Sequence, residues 1–87
     1  MESARCKAFM YAADTGSFTK AAERLNYTPS GVSQLVGALE NETGLTLLRR
    51  TRKGVTLTPD GEILLPAVRE FLEKENRIYE LAAEVIT

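Results

Sequence analysis

The sequence predicts a mainly α fold: a winged helix-turn-helix made of a three-helix core and a small β-hairpin wing, followed by a long C-terminal helix. Three observations carry this prediction. Apolar residues recur at helical spacing in three segments between Ser3 and Glu42, the second and third separated only by Asn26-Tyr27. The texture then changes to LTLLRRTRKGVTLT, residues 45–58, where β-compatible residues lie on both sides of Arg52-Lys53-Gly54. From Pro59 a helical pattern resumes and continues to the C-terminus.

Each element has its own start and stop signals. Residues 3–13, SARCKAFMYAA, carry apolar Cys6, Phe9, Met10 and Ala13, and Asp14-Thr15-Gly16 is expected to end that helix. Ser17 is placed to cap the second helix, FTKAAERL, whose Phe18, Ala21, Ala22 and Leu25 are expected to face inward. Thr28 can cap the third, and Pro29 takes its first position, where the missing N–H would have lacked a partner anyway. That helix is expected to run to about Glu42 and stop near Gly44, which tolerates the left-handed conformation. Thr58-Pro59 repeats the capping device at the last helix, where Pro66 removes one backbone bond and is expected to kink or loosen the first turns.

Length and composition bound the function. The 87 residues form one small domain with a single modest core, divided into a helix-turn-helix unit at 1–58 and a linker helix at 59–87. No apolar run approaches the roughly 18 residues of a membrane span, and MESARCKAF lacks a signal peptide's apolar stretch, so a cytoplasmic location without a membrane partner is expected. With no histidine and one cysteine, neither the usual zinc sites nor an internal disulfide can form, and Cys6 reads as a small core residue. No serine or cysteine has a candidate base beside it, so an enzyme is not expected, and no cofactor or metal is assigned.

The net charge of −1 hides an asymmetry. Residues 1–59 hold eight basic and five acidic side chains, giving +3, whereas residues 60–87 hold three basic and seven acidic, giving −4. The first part can meet an anionic surface while the tail serves another purpose.

Residues 26–39, NYTPSGVSQLVGAL, contain no charged side chain, although 26% of the chain is charged. Val32, Val36 and Leu39 form an inward stripe, leaving Ser30, Ser33, Gln34 and Gly37 opposite. By itself such a face is either merely solvated or a close-fitting reader of base edges, and Thr28 and Pro29 are explained by capping alone.

The stretch Gly16–Gly61 resembles the DNA-binding domain of the LysR-type transcriptional regulators of bacteria. The matching residues are Gly16-Ser17-Phe18-Thr19, Ala21-Ala22, Leu25, Val32-Ser33, Leu39-Glu40, Gly44, Leu47, Arg50, Val55-Thr56-Leu57-Thr58 and Gly61. The resemblance implies that the second and third helices form the helix-turn-helix, that the hairpin is the wing, and that the last helix joins two subunits. It also implies that this chain is the N-terminal part of a longer regulator whose small-molecule effector binds a C-terminal domain.

With that resemblance, Thr28, Pro29, Ser30, Ser33 and Gln34 become the candidate base readers in the major groove. Ser17 and Thr19 at a helix N-terminus, with Arg49, Arg50, Arg52 and Lys53 on the hairpin, are the candidates for phosphate or minor-groove contact. Gln34 stands where the family often has arginine, Leu35 where it often has glutamine, Gly37 where a basic residue is frequent and Leu48 where phenylalanine is usual. Ser3 and Cys6 replace leucines often seen on the first helix. Gln34 is accordingly expected to prefer adenine.

On the last helix, Leu64, Val68, Phe71, Ile78, Ala82 and Val85 recur at heptad spacing with Glu75 interrupting, and Leu72 and Tyr79 widen the stripe. These are the candidate dimerisation residues. The partners expected are therefore double-stranded DNA, with an inverted-repeat site, and a second copy of the chain. The rival reading is a winged-helix protein-interaction module, favoured by the acidic total charge and opposed by the clustered cations of the wing.

Overall fold

A computed structural model describes all residues, 1–87, as α1 (Ser3–Thr15), α2 (Phe18–Leu25), α3 (Pro29–Thr43), β1 (Leu48–Thr51), β2 (Gly54–Leu57) and α4 (Pro59–Ile86). This is a winged helix-turn-helix: α1 to α3 pack around one core, β1 and β2 form an antiparallel hairpin, and α4 returns across α1.

The caps explain where the helices begin. The Ser17 side chain accepts from the Lys20 N–H, Thr28 from Gly31 and Thr58 from Gly61, so each helix after the first starts on a satisfied donor. Gly16 and Gly44, both in the left-handed conformation, end α1 and α3.

The inward face of α1 differs from the expected one. Cys6, Ala8, Phe9 and Ala12 are buried, while Met10 and Ala13 are half-buried at the margin. This helix packs against α2, α3 and α4 together, so more than one stripe is covered, and alanines at 8 and 12 allow close approach. It also runs two residues past Ala13: the Thr15 hydroxyl bonds the Tyr11 carbonyl, and Asp14 pairs with Arg69 of α4. Burial pushes the Cys6 thiol above its usual pKa, as befits a core residue.

The hairpin is held to the helices by main-chain bonds. Val55 N donates to Gly16 O at 2.9 Å, and Thr58 N donates to Leu47 O at 3.0 Å. The carboxylate of Glu40, on α3, accepts from the N–H groups of Leu47 and Leu48 at 2.7 and 3.3 Å and so fixes the entry to β1. At Gly54, with φ +135°, a Cβ would collide with the Gly16 carbonyl oxygen, so the tip tolerates only glycine there.

The last helix is continuous through Pro66. Pro66 is solvent-exposed, so the Glu62 carbonyl it leaves without a helical partner can bond water. Gly61, Leu65 and Val68 are buried against the core. Beyond Asn76 every residue of the helix is exposed, and the molecule measures 49 × 25 × 18 Å.

Candidate nucleic-acid interface

One side of the start of α3 is open to solvent: Thr28, Pro29, Ser30 and Gln34 are all exposed, and Ser33 is half-buried beside the wing. Val32, Val36 and Leu39 anchor the opposite side of the helix. An open concavity of about 510 Å³ is lined by Phe18, Thr19, Pro29, Ser30, Ser33, Gln34 and Arg50. The fold thus gathers Thr19, Pro29, Ser30, Ser33, Gln34 and Arg50, six candidates from three separate elements, around one space. Gln34 stands on a ridge, since it also lines a second concavity with Thr28, Tyr27, Arg5 and Leu35.

The other candidates lie elsewhere. Ser17 uses its hydroxyl internally, capping α2 at 3.1 Å from Lys20 N. Arg49 and Arg50 are adjacent in β1 and so point to opposite sides of the hairpin. Only Arg50 reaches the concavity, where its guanidinium bonds the Ser33 hydroxyl and lies 4.7 Å from the Phe18 ring centroid. Arg52 and Lys53 form the exposed turn of the wing, and no acid pairs with either. The exposed cations therefore flank a neutral, hydrogen-bonding floor, the arrangement that separates phosphate attraction from base reading.

Sequence reasoning missed two contributors. Phe18 was expected only as a core residue, but its ring is the platform beneath Arg50. Glu40 was seen as part of a motif without a role, and the structure makes it the anchor of the wing's first strand. The sole signal available in the chain was a carboxylate following an uncharged stretch.

The candidate dimerisation residues divide. Val68 is buried in the core, and Leu64 and Leu72 are half-buried against it, so these three pack at least in part within the chain. Phe71 is partly open, whereas Ile78, Tyr79 and Val85 are 65%, 69% and 85% exposed, and Ala82 is exposed with them. A helix with this many large apolar side chains in water is an uncovered surface.

Residues 4–62 match the family model described as bacterial regulatory helix-turn-helix protein, lysR family. The chain belongs to that family. Over 66 residues it is 44% identical to the HTH-type transcriptional activator AllS of Klebsiella pneumoniae, covering 76% of this chain and 24% of the relative. Over 82 residues it is 43% identical to the HTH-type transcriptional regulator AlsR of Bacillus subtilis, covering 94% of this chain and 27% of the relative. The chain thus spans about a quarter of the length of these curated LysR-family relatives. Among solved structures, the crystal structure of a complex of the CbnR DNA-binding domain with DNA superposes with a TM-score of 0.90 at 30% identity, over 100% of both chains. No helix of this LysR-family chain is long and apolar enough to cross a membrane.

Proposed function

We propose that this chain is the DNA-binding and pairing part of a bacterial transcriptional regulator, which reads an inverted repeat in double-stranded DNA as a homodimer in the cytoplasm. One observation carries the reading: six side chains of the kinds that contact bases and phosphates converge on the concavity at the start of α3, beside an unpaired cationic wing tip. The names of the relatives, all transcriptional regulators, and the CbnR–DNA likeness support it.

In this reading α3 enters the major groove, with Pro29, Ser30, Ser33 and Gln34 toward the bases. Thr28 and Thr19 approach the adjoining backbone, where the N-termini of α3 and α2 offer free N–H groups. Arg52 and Lys53 lie along or within the minor groove, where narrow A·T-rich segments attract cations. Arg49, on the far side of the hairpin, is left to the backbone at most. Residues 1–58 do the reading, and residues 59–87 join two copies through Phe71, Ile78, Tyr79, Ala82 and Val85. Sensing of an effector belongs to a further domain.

Selection of bound duplexes from a random pool tests this. The expected product is an enriched inverted repeat with half-sites spaced by whole helical turns, retained less as salt rises. A selected pool without sequence bias, or no retardation of any duplex at low salt, would sink the proposal in favour of a protein-interaction role.

A further inference from the structure

Ser33 and Arg50 face each other across the concavity, and the guanidinium donates to the serine hydroxyl. A guanidinium has donors only, whereas a hydroxyl has one proton and two lone pairs. The Arg50 bond therefore takes one lone pair of Ser33 and leaves its proton uncommitted. Ser33 makes no bond back to a carbonyl of its own helix, the usual refuge of a helical serine, so no group within the chain uses that proton. The guanidinium also lies over the Phe18 ring, with 4.7 Å to the centroid, a contact that restrains where it reaches Ser33.

We infer that Arg50 is a positioning residue that acts through Ser33, holding its side chain so that the O–H is presented as a donor to an acceptor atom on the DNA. The inference rests on the DNA-reading function proposed above and adds to it the donor polarity of one contact. The acceptor is a purine N7, guanine O6, thymine O4 or a phosphate oxygen. A cytosine amino group there would meet the remaining lone pair but strand the hydroxyl proton in a dehydrated interface. Lysine in place of Arg50 keeps the charge but has neither the planar fork nor the face that stacks on Phe18.

The test uses the tightest duplex selected by the native chain, with acceptors removed singly by 7-deazapurine, by analogues lacking O6 or O4, and by methylphosphonate. One such change is expected to weaken the native chain about tenfold, and its position tells base from phosphate. Ser33→Ala should bind the unmodified duplex about tenfold more weakly and be indifferent to that change. Arg50→Met and Arg50→Lys should each behave like Ser33→Ala, and Arg50→Met combined with Ser33→Ala should be no weaker than the serine variant alone, within about twofold. Full affinity in Arg50→Lys would overturn the inference, because charge alone would then suffice. So would a multiplicative double variant whose salt slope falls by about 1, the mark of a direct phosphate contact by Arg50. Indifference of the native chain to every acceptor removal would also overturn it. A native chain that selects no duplex fails the functional proposal itself, a result separable from all of these.

Discussion

Replacing glycine by alanine at two helical positions should shift stability in opposite directions, although the chemical change is the same. Both Gly37 in α3 and Gly61 in α4 sit in helix, where alanine is favoured over glycine by about 1 kcal/mol. At Gly37 an added Cβ meets nothing within 4 Å, so the full gain is kept. At Gly61 the Cβ would collide with the Leu47 carbonyl oxygen and sit 3.0 Å from Leu57 Cδ2. Relief requires the start of α4 to move off Leu47, the residue that leads into β1. That movement stretches the Thr58 N bond to Leu47 O, at 3.0 Å, and the Thr58 Oγ1 bond to Thr46 O, at 2.6 Å. Overpacking costs about 1–3 kcal/mol and each of the two bonds lost about 1–3 kcal/mol, together about 3–9 kcal/mol against a propensity gain of about 1 kcal/mol, which leaves Gly61→Ala destabilised by about 2–8 kcal/mol. For a chain of this size 1 kcal/mol moves Tm by about 4–8 °C. Gly37→Ala should therefore melt about 4–8 °C higher and Gly61→Ala about 10 °C or more lower. The assay is thermal unfolding followed by circular dichroism at one fixed protein concentration, because the proposed pairing would make Tm depend on concentration. A Gly61→Ala protein melting at or above the native value would refute the close approach of α4 to the Leu47 carbonyl.

Gln34→Ala should cost about 1–3 kcal/mol on the selected duplex and relax preference at one base pair, measured by binding to a set of single-base variants; equal losses on random DNA would remove Gln34 from the base readers. Lys53→Ala should weaken binding to all duplexes alike and lower the slope of log affinity against log salt by about 1, read from titrations at several salt concentrations. Ile78→Lys places a charge among exposed apolar side chains of α4; sedimentation should find it monomeric at concentrations where the native chain pairs, with affinity for a single half-site unchanged. Glu42 is held below the usual carboxylate pKa, chiefly by its bond to Arg5 at 2.5 Å and then by the N-terminal ammonium. Its depressed folded pKa means a contribution present above the unfolded value and lost as pH falls through the folded one, so Glu42→Gln should flatten the acid limb of stability below about pH 5 in denaturant titrations.

Local signals were legible where local physics decides. Thr28-Pro29 and Thr58-Pro59 mark helix starts because the cap hydroxyl and the missing proline N–H act within one turn, and both helices begin there. Gly16 and Gly44 mark ends for the same reason. The buried face of α1 was not legible in full, because three partners cover it and periodicity describes one stripe. Val68 fits a heptad seam and a core stripe equally well on sequence spacing, and only the docking of α4 on α1 separates the two. At the candidate interface, the neutral face of α3 and the cationic wing were visible as patterns. The destination of Arg50 was not: its partners lie 17 and 32 positions away in sequence, on α3 and α2, and no local rule joins them.

The three parts that the proposed function needs are coupled by direct main-chain and side-chain bonds, and this constrains how two copies can read DNA. The wing is bonded to the turn before α2 through Val55 N and Gly16 O, and its first strand is anchored to α3 by Glu40. The start of α4 is fixed to the segment leading into that strand through Thr58, Thr46 and Leu47, and its middle is clamped to α1 by Leu65, Val68 and the two-bond pairing of Arg69 with Asp14 at 2.6 and 3.1 Å. No flexible linker lies between the reading surface and the exposed apolar end of α4. In the two-fold pairing proposed, the separation of the two recognition helices is then set by where the α4 helices cross rather than by a hinge. Loss of the Arg69–Asp14 clamp should broaden the half-site spacings that are tolerated without altering the bases preferred within each half-site.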